Sequence, residues 1–258
     1  MNIAIKIYIF IFSVIFSQTL NEGKKFYQAR GEGSVGLRAK SEAIDNAIRE
    51  FEKASKLPET ALEAGVYLLR SYYYKGEFST VEIEKKKEIF KRGKLIGESL
   101  IEKYPNSAPA HYWYLVNLGS WAQVYGTIAA AREGVADLMK KHSEIIIELD
   151  EKYMDGGGYF MLGAVHLKSP YIPFILSWPS NKLAVKYLEK ALSQGDKTSL
   201  QTVYFARALF KEGRKKEAKD LLINLISKPL SLENKVEDLK NKLEAVDLIV
   251  KWNREFGY

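Results

Sequence analysis

The feature of this sequence that most restricts its fold is an internal repeat of 34 residues. A short set of apolar residues occurs once and returns 34 positions later with the same spacing. The first set is Ala184, Leu188 and Ala191, and the second is Ala218, Leu222 and Leu225. Repeats of about 20–50 residues are typical of chains in which one short unit stacks on the next, because a single unit cannot bury its apolar face alone. The repeat therefore predicts stacked helical hairpins.

A second pattern identifies the kind of hairpin. The tetratricopeptide repeat (TPR) is 34 residues long, and its first helix reads W-x2-L-G-x2-Y. The best match to this pattern is Tyr159, Leu162, Gly163 and His166. Two looser matches are Tyr112, Leu115, Val116 and Gly119, and Gly65, Leu68, Leu69 and Tyr72. A partial match, to the last three positions, is Phe205, Ala206 and Leu209. Leu162 and Phe205 are 43 positions apart, which indicates an insertion in or near residues 169–179.

The rest of the chain also predicts helices. From Ser41 onward apolar residues recur three and four positions apart, and no run alternates as a half-buried strand does. One such stripe, near the C-terminus, consists of Leu239, Leu243, Val246, Ile249 and Val250. We predict an all-α fold, a TPR-like helical-hairpin solenoid of about four degenerate repeats plus flanking helices, formed by a single domain over residues 18–258.

The N-terminus resembles an export signal. Residues 1–16 read MNIAIKIYIFIFSVIF, with Lys6 as the one charge, and polar Ser17 and Gln18 follow. A signal peptide combines a positive start, a short apolar run and a small residue at the cleavage site. We predict a signal peptide over residues 1–17; the alternative is an uncleaved anchor. Either one places the remaining chain outside the cytoplasmic membrane, in a bacterium in the periplasm.

Composition excludes several classes of function. The chain has no cysteine, which excludes disulfides, thiolate metal sites and a lipid-modified cysteine anchor. The net charge is +7 among 71 charged residues, a bias too mild to indicate nucleic-acid binding. No motif of a nucleophile and base or of a phosphate loop is present, and Gly31–Gly36 lacks the strand that a dinucleotide site requires. We expect no enzyme, no cofactor and no metal.

Two groups of residues are candidates for ligand binding. Trp113, Asn117 and Trp121 lie four positions apart, so they share one face of a helix that either packs in the core or contacts a ligand. The glycine run 156–158 is either a tight turn or a loop whose amides face an anion at a helix N-terminus. The predicted ligand site consists of Trp113, Asn117, Trp121, Gly157, Gly158 and Tyr159.

The predicted insertion is apolar and rich in proline. Its sequence from residue 170 to 179 is PYIPFILSWP, in which three prolines exclude a regular helix. Such a segment either folds onto the repeat as a plug or presents an apolar surface to a partner or ligand. We predict that Tyr171, Phe174 and Trp178 form this partner surface.

A series of blocks in the second half of the chain resembles a known family. They include YWYLVNLGSW at residues 112–121 and DGGGYFMLG at 155–163, followed by blocks at 170–173, 184–191 and 205–218. In order and spacing these blocks resemble the T-component proteins of tripartite ATP-independent periplasmic (TRAP) transporters. The resemblance implies a periplasmic helical-repeat protein, a homotrimer with a cleft for a small apolar ligand, that docks to the extracytoplasmic solute-binding protein. Members of that family are often lipoproteins, whereas this chain has no cysteine.

Two interpretations of function follow. The first is a non-enzymatic, periplasmic accessory protein of TRAP-type solute uptake, which binds a small apolar or carboxylate ligand, the solute-binding protein, or both. The alternative is a general TPR scaffold for protein–protein interaction in cell-envelope assembly.

Overall fold

The computed structural model describes residues 18–174 and 176–256 of the chain. The signal peptide predicted over residues 1–17 lies outside the described residues. The helices are α1 (residues 18–28), α2 (Ser41–Ala54), α3 (Ala61–Tyr74), α4 (Ile83–Lys103), α5 (Ala108–Tyr125), α6 (Thr127–Arg132), α7 (Val135–Leu149), α8 (Tyr153–Lys168), α9 (Asn181–Leu192), α10 (Ser199–Lys211), α11 (Lys215–Ser227) and α12 (Lys235–Phe256). The predicted fold class is confirmed: in this described part the chain is all-α, a TPR-like helical-hairpin repeat solenoid.

The helices gather into two compact units, one ending at Thr127 and the other beginning at Ile128. In the first unit α2 packs on α3, and the hairpin of α4 and α5 packs on α3 in turn. In the second unit each helix from α7 to α12 packs on the next one along the chain. The single domain that the sequence predicts over residues 18–258 stays a prediction.

The close pairing of α4 with α5 depends on a glycine at the contact. A Cβ atom on Gly97 would lie 2.8 Å from the ring atom Cδ2 of Tyr114 and 3.1 Å from the Cα of the same residue. Tyr114 is itself 2% exposed, so its ring has no free space into which it can retreat. The absence of a side chain at Gly97 therefore allows the two helices to approach this closely.

The second unit contains the 34-residue repeat. Ala184, Leu188 and Ala191 lie on α9, their counterparts Ala218, Leu222 and Leu225 lie on α11, and all six side chains are buried. Gly163 of α8, the glycine of the TPR pattern, meets Leu188 of α9: a Cβ atom there would lie 2.6 Å from the Leu188 Cγ. The predicted insertion is also confirmed, because the chain between α8 and α9 forms a separate loop.

The C-terminal helix is present where the sequence predicts one, but a different face is buried. Val236, Ala245 and Trp252 are buried, whereas Leu243 and Val246 of the predicted stripe are 44% and 39% exposed. The buried face also includes a charged residue, Lys242, whose Nζ donates hydrogen bonds to the carbonyls of Lys228 (2.5 Å) and Pro229 (2.8 Å). These carbonyls belong to the loop after α11, so the side of α12 that carries Lys242 faces this loop. The structure thus leaves much of the apolar stripe on the surface.

The contact at Gly97 gives a test of the fold. We expect Gly97→Ala to lower the free energy of unfolding by about 1–3 kcal/mol, because the new methyl group would overlap Tyr114. The control is Gly119→Ala in α5 of the same unit, where a Cβ atom has no neighbour within 4 Å. This change should instead stabilise the helix by up to about 1 kcal/mol. Chemical denaturation measures both effects, and equal effects of the two variants would contradict this description of α4 and α5.

Candidate functional site

The predicted residues Trp113, Asn117 and Trp121 lie together on one face of α5 in the first unit. Trp113 and Trp121 are 7% and 6% exposed, and Asn117 is fully buried. The Asn117 amide nitrogen donates to the carbonyls of Leu69 and Trp113, each at 2.9 Å. The bond to Leu69 crosses from α5 to α3. Asn117 therefore has a structural role in joining two helices, whatever else its face of α5 contacts.

Arg70 of α3 is the residue beside this face that the sequence analysis missed. Its guanidinium carbon lies 4.9 Å from the ring centroids of Tyr27 and Tyr67 and 5.1 Å from that of Trp113. We call these four residues the Arg70 cluster. In the described part of the chain Arg70 forms no ion pair or hydrogen bond, and its buried Nε has no partner. A guanidinium held by aromatic rings and without a carboxylate of its own is suited to bind an anion.

The sequence does contain a signal for Arg70. In the loose TPR pattern of α3, Arg70 directly follows Leu69, just as Asn117 directly follows Val116 in the pattern of α5. The two polar residues thus occupy the same position in consecutive repeats. Comparing the repeats position by position, rather than searching each helix for an aromatic stripe, would have identified Arg70 as a candidate.

A second cation lies on the same face of the first unit. The Lys94 ammonium is 4.8 Å from the centre of the Trp121 ring, which stacks on Tyr125 at a centroid distance of 4.8 Å. Lys94 also forms an ion pair with Glu98, in which Lys94 Nζ lies 3.4 Å from Glu98 Oε1. The aromatic residues of α5 therefore have a paired cation at Trp121 and a cation without a counter-ion at Trp113.

The other predicted ligand residues, Gly157, Gly158 and Tyr159, lie at the start of α8 in the second unit. Met154, Asp155 and Gly156 have φ values of 51°, 56° and 79°, so a left-handed turn precedes the regular part of the helix. A Cβ atom on Gly158 would lie 2.8 Å from the Ile147 side chain of α7. Here the glycine run allows a tight turn and a close contact between helices. The Tyr159 hydroxyl donates to Glu151 Oε2 at 3.2 Å.

In the described part of the proline-rich segment, residues 170–174 and 176–179, the chain forms a short hairpin, which we call the Pro-rich hairpin. Two backbone hydrogen bonds of 2.9 and 2.8 Å join Ile172 and Leu176. At its apex Phe174 has a φ of 64° and is 102% exposed, while Tyr171 is 63% exposed. Two of the three predicted partner residues are thus on the surface. The aromatic rings project from a hairpin that the backbone holds closed.

Trp178, the third of these residues, attaches the hairpin to the repeat. Its Nε1 donates to Asp137 Oδ1 at 2.8 Å, and its ring meets the edge of His166 at a centroid distance of 5.0 Å. His166 Nδ1 in turn accepts a hydrogen bond of 3.2 Å from the amide of Ser180. Burial lowers the pKa of His166, and the nearby Lys140 lowers it further. The neutral imidazole is therefore the form that this arrangement favours.

Comparisons with known proteins agree with this architecture. The family model for regulator of microtubule dynamics protein 1-3 (RMD1-3) matches residues 37–168, just over half of the chain. The chain belongs to the RMD1-3 family. Its structure is similar to the crystal structure of a thermophilic TPR protein from Thermus thermophilus, with a TM-score of 0.60 and 16% sequence identity. The match covers 91% of this chain and 99% of the solved chain. No curated protein matches the chain by sequence.

Across residues 18–174 and 176–256 no three His, Cys, Asp or Glu side chains form a group able to hold a metal ion. Over the same residues no helix is both long enough and apolar enough to cross a bilayer.

The contacts of His166 predict a pH dependence. Because the pKa of His166 is lower in the folded chain than its usual 6.5, the unfolded chain binds more protons around and below that pH. The contribution of the neutral imidazole to stability is therefore complete above about pH 6.5 and is lost as the pH falls. We expect acidification from about pH 7.5 to pH 5.5 to lower the free energy of unfolding less in His166→Gln than in the unaltered chain. Chemical denaturation at each pH tests this, and equal losses in both proteins would contradict it.

Proposed function

We propose that this RMD1-3 family member is a non-catalytic scaffold that binds another protein. A TPR-like fold is typical of such scaffolds, because stacked hairpins expose a long surface without a reactive centre. The observation that carries the proposal is the exposure of Phe174 and Tyr171 on the Pro-rich hairpin. Exposed aromatic rings grouped on a surface are characteristic of interaction sites, where a partner removes them from water.

Anchoring of the hairpin supports the same proposal. The bonds between Ile172 and Leu176 close the hairpin, and the bond from Trp178 to Asp137 attaches it to α7. A surface that is already ordered loses little conformational entropy when a partner binds. The hairpin therefore holds the backbone of Tyr171 and Phe174 in place, and their exposed rings can act as anchor residues for an apolar pocket of the partner.

The Arg70 cluster supports a second contact, within the first unit. Its guanidinium has no carboxylate partner in the described residues, so an acidic side chain of a bound protein segment would supply one. We propose that the scaffold binds an acidic segment at this cluster.

The family name refers to regulation of microtubule dynamics. For this chain we propose protein binding without extending that role to it. The apolar run of residues 1–16 supports export, so we place the scaffold outside the cytoplasmic membrane. A more specific candidate is the accessory role in TRAP-type uptake, with the extracytoplasmic solute-binding protein as partner and a small apolar or carboxylate ligand. The sequence blocks at residues 112–121 and 155–163 support this candidate.

We also propose that the protein is a homo-oligomer. The support is the stripe on α12, where Leu243, Val246 and Val250 are 44%, 39% and 47% exposed and lie three and four positions apart on one face. Burying such a stripe against its copy in a second chain removes apolar area from water on both sides at once.

The Pro-rich hairpin can be tested with one double variant. We expect Tyr171→Ser/Phe174→Ser to weaken binding of the partner at least about tenfold, because both rings act as anchors. Its melting temperature should be unchanged, since these side chains are exposed. The partner is identified by crosslinking and mass spectrometry of the wild-type complex, and its affinity for each purified variant is then measured.

The matched control for that experiment is Leu232→Ser, which removes a side chain that is 97% exposed at a different place in the second unit. It should bind the partner as the wild type does. Equal binding by the double variant and the wild type would contradict the role of the hairpin. Recovery of the solute-binding protein as the crosslinked partner would favour the TRAP role, and recovery of other envelope proteins would favour the general scaffold.

The α12 stripe gives a separate prediction. We expect Val246→Asn to shift the protein toward the monomer, because it places an amide in the apolar contact. Asp247→Asn is the control: it places the same side chain on the neighbouring exposed position, outside the stripe. Light scattering after size exclusion measures the mass of each. A wild-type mass equal to one chain, or no effect of Val246→Asn, would contradict the proposal.

A further inference from the structure

The second unit contains a cavity that neither the TPR pattern nor the proposed scaffold function uses. Its volume is about 240 Å³, and it opens to solvent between helices α8, α10 and α12. The lining residues that matter here are Lys168, Arg207, Phe210, Lys211, Leu248 and Trp252. Cavities for drug-sized ligands measure about 300–1,000 Å³, so this one suits a smaller molecule or a single side chain.

One wall of the cavity is apolar and rigid. The rings of Phe210 and Trp252 stack almost in parallel, with 3.9 Å between centroids and 9° between planes. Trp252 is only 5% exposed, so the stack is fixed in the core of the unit. Leu248, one helical turn before Trp252, extends this surface. The wall therefore offers a preformed contact for a short aliphatic or aromatic group.

The other wall is positively charged. Arg207 already has a counter-ion, because its Nη2 lies 2.5 Å from Glu244 Oε1. Lys168 has none: within the described part of the chain it forms no ion pair or hydrogen bond, and its ammonium lies 5.3 Å from the centre of the Tyr204 ring. Partial burial lowers the pKa of Lys168, as do Arg207 and Lys240, while Glu244 acts in the opposite direction.

A cation without a counter-ion beside an apolar wall defines the ligand it would accept. We propose that this cavity binds a carboxylate attached to a short apolar group, with the carboxylate at Lys168 and the apolar group against Phe210 and Leu248. Arg207 and Glu244 neutralise each other, whereas neither Lys168 nor the exposed Lys211, which also lines the cavity, forms an ion pair among the described residues, so the site favours a negative charge. The ligand is either a free short-chain acid or the C-terminal residue of a peptide, which have this chemistry in common.

The test uses hexanoate and its neutral analogue 1-hexanol as probes of the full chain. Binding is measured by saturation-transfer NMR. We expect hexanoate to bind at least about tenfold more tightly than 1-hexanol, because only the acid meets Lys168 with a charge. The dipeptide Ala-Leu, compared with its C-terminal amide, distinguishes the two sources: tighter binding of the dipeptide than of hexanoate identifies a peptide terminus.

Lys168→Met removes the charge while keeping the length of the side chain. It should weaken hexanoate binding about tenfold or more and leave 1-hexanol binding unchanged. Lys168→Arg keeps the charge and should bind hexanoate as the wild type does. Lys197→Met is the matched control, because Lys197 is an exposed lysine away from the cavity.

Three outcomes would overturn the proposal. They are equal affinities of hexanoate and 1-hexanol, no hexanoate binding at about 10 mM, and an equal loss in Lys168→Met and Lys197→Met. The first two need only the wild type, so the proposal stays testable if Lys168→Met does not fold. None of these measurements involves Tyr171 or Phe174, so failure here is distinguishable from failure of the scaffold function.

Discussion

Each amphipathic helix of this protein has an apolar face that only a neighbouring helix can cover, and small residues set how near that neighbour comes. At Gly163 the helix α8 touches Leu188 of α9 without room for a methyl group, and at Gly97 the helix α4 touches Tyr114 of α5 in the same way. The apolar contacts themselves tolerate exchange of one large side chain for another, whereas these points of closest approach do not.

Buried polar side chains at these contacts join neighbouring segments by hydrogen bonds. Asn117 joins α5 to the Leu69 carbonyl of α3, and Lys242 satisfies two carbonyls of the loop after α11. Lys242 completes carbonyls that lie outside a helix, whereas Asn117 adds a bond between two helices to a carbonyl within α3. Arg70 and Lys168 differ from these, because neither forms an ion pair or hydrogen bond among the described residues. Asn117 and Lys242 thus bond one element to another, whereas Arg70 and Lys168 have no counter-ion among the described residues and are candidates for contact with a partner.

Much of the fold was predictable from the sequence, and less of the candidate site. Local periodicity predicts the spacing of Ala184 and Ala218, the insertion after α8 and the shared face of Trp113 and Trp121. The folded chain retains each of these features, because periodicity depends only on residues near one another in sequence. The Arg70 cluster combines residues from α1, α3 and α5, and the cavity at Lys168 combines three helices. No pattern within one helix contains information about such groups, since they depend on which helices become neighbours.

The sequence by itself determined the helical class, the repeat length and the position of the Pro-rich hairpin, because helix periodicity and proline both act over a few residues. Only the tertiary structure decided which face of α12 is buried. There the stack of Trp252 on Phe210 and the bonds from Lys242 to two loop carbonyls lie on the buried face, and Leu243 and Val246 stay partly exposed. The periodicity of a helix does not show which hydrogen bonds a neighbouring segment needs. The buried face of α12 is therefore decided only when the helices pack.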